Sequence, residues 1–378
     1  MSWLRTPCAF LRTIQRCFVL LRSLLVLVAA LMLAACAGDD VKPASEKIYW
    51  PAPPDPPRFV YETTLRSELS IQALTAEERF RRSLSGYVEK GTVFQKPFDV
   101  AARNGSVVVT DTVARLGYIF NLPRQKLFRF GNVGRQGVLT KPMGVAMDGR
   151  QYIYVADAGA RQVFVYDALG MYIRSIGNPE DLDRPVDVAV NEDGSRVYVV
   201  DVGGIDSRKH GFVAYDGEGR KLFAVKGRGS EKGEFNLPTQ AAVGPDGTIF
   251  ILDGGNFRVQ AFSPEGKLIR AWGKAGRNFG DLARPRGLAV DKAGNVYVSD
   301  AAYRNVQVFN SDGQLLLALG SKGLMDEPGQ YALPAGVAVD ELDYVYVVDQ
   351  LFFKVDVLRK LSQQEVDAAA KNHGTGGQ

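Results

Sequence analysis

Cysteine is nearly missing from this chain. Of 378 residues only Cys8, Cys17 and Cys36 are cysteines, and none lies beyond position 36. A disulfide framework is therefore excluded for the rest of the molecule, and so is a zinc site built on thiolates. Histidine is as scarce. His210 and His373 are the two present, which rules out a three-histidine zinc site. Oxygen-ligated calcium needs neither residue, but no loop concentrates aspartate and asparagine enough to nominate one. We expect no metal and no cofactor. An excess of one charge is also lacking. Four of the 46 basic residues fall within residues 1–35, which hold no acid, leaving 42 basic against 42 acidic residues. Balanced charge offers no electrostatic footprint for nucleic acid. The one long apolar run, Leu24 to Ala35, has 12 residues, short of the roughly 20 that cross a bilayer as a helix.

What is present is a repeat. Pro285-Arg286-Gly287-Leu288-Ala289-Val290 leads through Gly294-Asn295 to Val296-Tyr297-Val298-Ser299-Asp300, and then to Asn305-Val306-Gln307-Val308-Phe309. Each run is β-branched or aromatic and is bounded by turn residues, the pattern of short antiparallel strands. The pattern begins at Pro97, Pro142, Pro185, Pro238, Pro285 and Pro334. An aspartate follows each second run, at Asp111, Asp157, Asp201, Asp253, Asp300 and Asp349. The spacings are 46, 44, 52, 47 and 49 residues. A period in the forties with several strands per unit is the signature of a β-propeller. Six anchors predict an all-β, six-bladed β-propeller, and we expect it to be monomeric.

The motif Val296-Tyr297-Val298-Ser299-Asp300, followed by Arg304 to Phe309, resembles the NHL-repeat family, as do the linkers Val225 to Phe235 and Trp272 to Gly280. The resemblance covers most of residues 97–358. It implies the propeller fold and leaves function open, because this fold carries binding proteins and enzymes alike. Arg58-Phe59-Val60-Tyr61 after a proline-rich stretch also resembles the start of some bacterial propeller lipoproteins.

Four segments follow in order. Residues 1–35 read as an export signal: Arg5, Arg12, Arg16 and Arg22 precede the apolar run. Leu33-Ala34-Ala35-Cys36 resembles a bacterial lipobox, which implies a diacylated Cys36 that anchors the chain to a membrane. Ala37 in place of an aspartate favours delivery to the outer membrane, facing the periplasm or the cell surface. Residues 36–57 read as a tether stiffened by Pro43, Pro51, Pro53, Pro54, Pro56 and Pro57, with Tyr49 and Trp50 able to touch the domain. Residues 58–361 form the propeller. The last repeat lacks a fourth strand, and the alternating stretch at 58–65 is expected to supply it and close the ring. A capping box at Thr75 to Glu78 predicts a short helix over 75–85 before the first repeat. Residues 362–378 form a tail, helix-like between Glu365 and Lys371.

Catalytic groups are hard to find. The six aspartates ring the domain, yet each precedes a cation by four or five residues in five repeats: Arg115, Arg161, Arg258, Arg304 and Lys354. Turn capping and ion pairing explain them better than chemistry does. The loops between second and third strands offer more. Phe257, Tyr303, Phe352 and Phe353 sit there, and the longest such loop carries Arg208, Lys209 and His210. Aromatic rings beside cations could hold a protein, peptide or glycan. Packing between blades is the plainer alternative for the rings. The expected function is a non-catalytic binding or scaffold lipoprotein of the cell envelope. The alternative is an envelope lyase or hydrolase using a carboxylate or His210.

Overall fold

A computed structural model describes residues 47–374, apart from residues 53, 73–91 and 205. The expected signal peptide, Cys36 and the helix over 75–85 lie outside the described residues. Within them the chain is a six-bladed β-propeller. Five blades are four-stranded antiparallel sheets whose strands follow in chain order. Their innermost strands are Pro97–Arg103, Pro142–Met147, Pro185–Val190, Pro238–Val243 and Pro285–Val290, and the sixth is Pro334–Val339. Each innermost strand packs on its two neighbours, and Pro334–Val339 meets Pro97–Arg103 to complete the ring.

The sixth blade closes the circle as expected. Phe59–Leu65 pairs antiparallel with Lys354–Lys360, from Phe59 opposite Lys360 to Leu65 opposite Val355. A further strand, Tyr49–Trp50, lies outside it, with Tyr49 opposite Val60. The tether expected over 36–57 touches the domain through Tyr49 and Trp50, and does so as a strand of a hairpin with Phe59–Leu65 rather than as an extended spacer. Trp50 is 9% exposed and belongs to the core between the fifth and sixth blades. A helix, Gln363–Gly374, follows the last strand. Glu365 holds it down by accepting from the Arg359 guanidinium at 2.8 Å. Among the described residues, no helix is long and apolar enough to cross a membrane.

The sequence pattern follows from where each strand sits. Second and third strands are covered on both faces by neighbouring blades, so they read as continuous apolar runs such as Ile249–Asp253 and Val296–Asp300, buried throughout. Outermost strands such as Tyr172–Ile176 have one wet face and alternate. Six apolar clusters fill the six gaps between blades. No cluster belongs to one blade, so no blade could bury its faces alone.

The repeated aspartates wire one face of the ring, called the upper face here. It carries the linkers between blades and the loops between second and third strands. All six are fully buried. Asp300 Oδ2 accepts from the linker amide of Ala283 at 2.8 Å, and Oδ1 accepts from the loop amides of Ala302 and Tyr303 at 2.9 and 3.2 Å. Asp111 and Asp349 do the same with Gln95 and Ala332 in the linkers and with Ala114 and Phe352 in the loops. The expected ion pair with the following cation forms in one repeat, Arg258 Nε to Asp253 Oδ2 at 2.8 Å. Elsewhere the cation goes to other partners, and Lys354 is buried against Asp356 at 2.9 Å. Arg115, Arg161 and Arg304 take left-handed φ of 55–59°, and Arg161 and Arg304 donate to linker carbonyls instead.

Candidate functional site at the upper mouth of the channel

Six innermost strands leave a central shaft, and the third residue of each strand decides what fills it. These residues are Asp99, Gly144, Asp187, Gln240, Gly287 and Gly336. The glycines make room for the polar side chains of their neighbours: a Cβ at Gly144 would lie 1.7 Å from Asp187 Oδ1, and one at Gly336 would lie 2.2 Å from Asp99 Oδ1. The three polar residues each bind an amide of a neighbouring blade. Asp99 accepts from Val145 N at 2.9 Å, Asp187 from Ala241 N at 2.7 Å and Gln240 from Leu288 N at 2.6 Å. They plug the shaft and leave a mouth at each end.

Asp99 and Asp187 face one another within the plug, close enough to share a hydrogen bond. Burial pushes the Asp99 carboxyl up to about 6. The same burial, with Asp99 beside it, pushes Asp187 well up. Two buried like charges cannot both be ionised cheaply, so the pair holds a proton. No amide or hydroxyl donates to the buried Asp187 Oδ1.

Above the plug the chain entering the innermost strands is rich in cations. The residue before each innermost-strand proline is Lys96, Lys141, Arg184, Leu237, Arg284 or Leu333, basic in four repeats of six. Arg286, second on its innermost strand, adds a half-buried guanidinium. Among the described residues none of these five side chains forms an ion pair. Arg286 donates to Gln350 Oε1 at 3.3 Å. Burial and the neighbouring Arg284 lower its pKa from the usual arginine range. Gln350 is 5% exposed, and its Nε2 is buried with no partner, as is Arg184 Nε. Donors therefore accumulate here without acceptors, and an unmade buried hydrogen bond costs about 1–3 kcal/mol. What the mouth can take chemically is an acceptor-rich, negatively charged group.

The residues singled out from sequence do not converge on this mouth. Arg208 and Lys209 are exposed on the long loop of the third blade, while His210 is 1% exposed. Its Nδ1 accepts from Leu237 N at 3.1 Å. Desolvation, with Arg228 and Arg184 nearby, lowers its pKa, so it stays neutral. His210 is a buried brace between a loop and a linker. Phe257 is half-buried against the core between the fourth and fifth blades. Phe352 is half-buried under the Lys354 ammonium, 5.7 Å from the ring centroid. Phe353 is 38% exposed. Tyr303 is half-buried, and its hydroxyl donates to Gly276 O at 2.7 Å. The rings are spread over three blades. Sequence reasoning passed over Arg184, Arg284, Arg286 and Gln350, although the basic residue before the proline recurs visibly once the repeats are aligned. Among the described residues, no group of three or more His, Cys, Asp or Glu side chains is placed to hold a metal ion.

No family model matches the sequence, and no curated protein matches it. Solved structures do. A Bacteroides thetaiotaomicron protein of unknown function superposes with a TM-score of 0.56 at 17% identity, over 71% of this chain and 70% of that one. A gluconolactonase from Xanthomonas campestris gives 0.55 at 17% identity, over 85% of this chain and 99% of the other. A streptogramin B lyase gives 0.52 at 12% identity, over 71% and 94%. At such identities the likeness is one of fold.

Proposed function

We propose that this protein is an exported, lipid-anchored binding propeller of the bacterial cell envelope, whose upper channel mouth receives an anionic group of a protein, peptide or glycan partner. The observation behind this reading is the set of unpaired donors at that mouth: Arg286 and Arg184 without carboxylate partners, and the buried Gln350 Nε2 beside Arg286. The anchor follows from the lipobox-like Leu33 to Cys36, and the repeats keep their resemblance to the NHL family. The test is affinity purification of the full-length lipoprotein from its own membranes, beside Cys36→Ser and Arg286→Ala forms, with mass spectrometry of what copurifies. A partner retained by Cys36→Ser and lost by Arg286→Ala supports the reading. A partner indifferent to Arg286→Ala sinks it.

A second reading has one observation in its favour. The Asp99–Asp187 pair lies beneath the mouth with raised pKa values and an oxygen, Asp187 Oδ1, to which no amide or hydroxyl donates. Carboxyl groups tuned toward neutrality serve as general acids and bases, and solved structures of similar fold include a gluconolactonase and a lyase. Turnover of a lactone or a cyclic ester that disappears in Asp187→Asn would favour an enzyme. Turnover unchanged in that variant would exclude the pair.

A further inference from the structure

The linkers entering the fourth and fifth blades repeat one loop closely. Arg228 bridges Phe235 in one, and Ala275 bridges Leu282 in the other. A third-strand glutamine ties each loop in the same way. Gln260 accepts from Gly233 N at 2.9 Å and donates to Glu234 O at 2.7 Å. Gln307 accepts from Gly280 N at 3.0 Å and donates to Asp281 O at 2.9 Å.

Two residues earlier the repeats part. Arg258 opposite Asp253 and Asn305 opposite Asp300 occupy the same register. Arg258 runs beneath its loop and donates to the carbonyls of Ser230, Glu231 and Glu234 at 2.7–2.8 Å. Asn305 is too short to do so. In place of the guanidinium the fifth blade has a cleft of about 240 Å³, lined by Arg277, Asn278, Phe279, Tyr303, Asn305 and Gln307. Asn305 Oδ1 is buried in it with no hydrogen-bond partner. By register, the carbonyls of Arg277 and Asn278 match those of Ser230 and Glu231 that receive the guanidinium in the fourth blade. The cleft thus presents acceptors that its sibling satisfies from within the chain.

We propose that this cleft binds the guanidinium of an arginine presented by a partner, which takes in the fifth blade the place that Arg258 takes in the fourth. A planar guanidinium offers five donors in a fixed fork and matches several converging carbonyls, where an ammonium is a point charge. Tyr303 is held upright by its bond to Gly276 O, and Phe279 stands at the rim, 89% exposed. Both rings can stack on a planar cation. Asp300 and Asp281, the latter also 3.7 Å from Lys274, act on the Tyr303 hydroxyl and are opposed by Arg277 of the lining.

The site is separate from the channel mouth, and its test distinguishes the two. N-acetyl-arginine amide is titrated into the full-length protein and followed by NMR, beside the citrulline and lysine analogues. Saturable binding of the arginine probe is expected, with the neutral citrulline analogue at least about tenfold weaker, as loss of charge-assisted bonds requires. Asn305→Arg refills the cleft from within and is expected to abolish binding while raising the thermal midpoint. Phe279→Ala, on an exposed ring that folding does not need, is expected to weaken binding about threefold. Arg286→Ala, which disables the channel mouth, leaves this binding unchanged. The proposal is overturned if no saturable binding is seen, if citrulline binds equally well, or if a folded Asn305→Arg binds as before. Should that variant not fold, unchanged binding by Phe279→Ala overturns it.

Discussion

The two mouths of the central shaft are built from the same six strands and have opposite polarity. The lower mouth, at the turns between first and second strands, is a recess of about 490 Å³ lined by Arg103, Glu192, Asp291, Lys292, Asp340 and Glu341 among others. Its charges are laced together. Arg103 of the first blade pairs with Glu192 of the third, and Lys292 with Asp343 at 3.2 Å. Glu341 Oε1 accepts from Asn104 N at 2.8 Å. The atoms left without partners there are acceptors, Glu341 Oε2 and Asp343 Oδ1; at the upper mouth Arg184 Nε and Gln350 Nε2 are donors. A chain with 42 acids and 42 bases beyond residue 35 can therefore carry an uneven field along its axis. Net charge counts residues, whereas a field depends on where they stand.

The difference can be broken first at the aspartates. Asp300 serves four upper-face amides in a linker and a loop. Asp300→Ala leaves them without an acceptor and is expected to cost about 3–5 kcal/mol in denaturant unfolding. Asp216 on the lower side caps its own exposed hairpin through Glu218 N and Arg220 N. Asp216→Ala should cost about 1 kcal/mol or less. Equal losses would mean that the upper aspartates do not wire the ring.

The plug between the mouths gives the next effect, and its sign follows from titration. Asp99 rises from 3.8 to about 6 and Asp187 is also raised well above 3.8, so the folded state keeps protons that the unfolded chain has released. Their contribution is complete below about pH 4 and is lost as pH climbs through 6 and above, with Asp99 alone accounting for about 3 kcal/mol at most. Asp187→Asn keeps the shape and removes the charge. It is expected to stabilise the fold by about 2 kcal/mol at pH 8 and to change little at pH 4. A flat response across that range would show the pair to be independent.

Smaller effects separate the mouths themselves. Arg286 is a half-buried cation without an anion, so Arg286→Met should leave stability unchanged or raise it by about 1 kcal/mol while abolishing partner capture. Arg103 has its anion, but Glu192 is largely exposed. Arg103→Ala should cost about 0.5 kcal/mol, and less in high salt. Unfolding curves of both variants at low and high salt provide the check. A destabilised Arg286→Met would make that residue structural rather than a receptor.

Much of the architecture was legible before any coordinates. Strand count, blade count and closure by the stretch at 58–65 follow from alternation, a period in the forties and one missing strand, because local backbone preference and burial on both faces write directly into residue choice. The structural role of the six aspartates was legible for the same reason, although their partners were not: with left-handed φ at Arg115, Arg161 and Arg304 the cations leave the carboxylates, and backbone amides are the main partners. Tyr49–Trp50 was missed because a two-residue strand has no period. The sites were beyond reach in a different way. Asp99 and Asp187 are 88 positions apart, and nothing in either neighbourhood says that they share a proton. Arg286 meets Gln350 from the next blade, and Asn305 leaves a cleft only because Arg258 shows what would have filled it. Sequence determines which strands form, since that depends on neighbours along the chain. Ring closure determines which side chains face the shaft and which donors go unpaired, since that depends on neighbours across it.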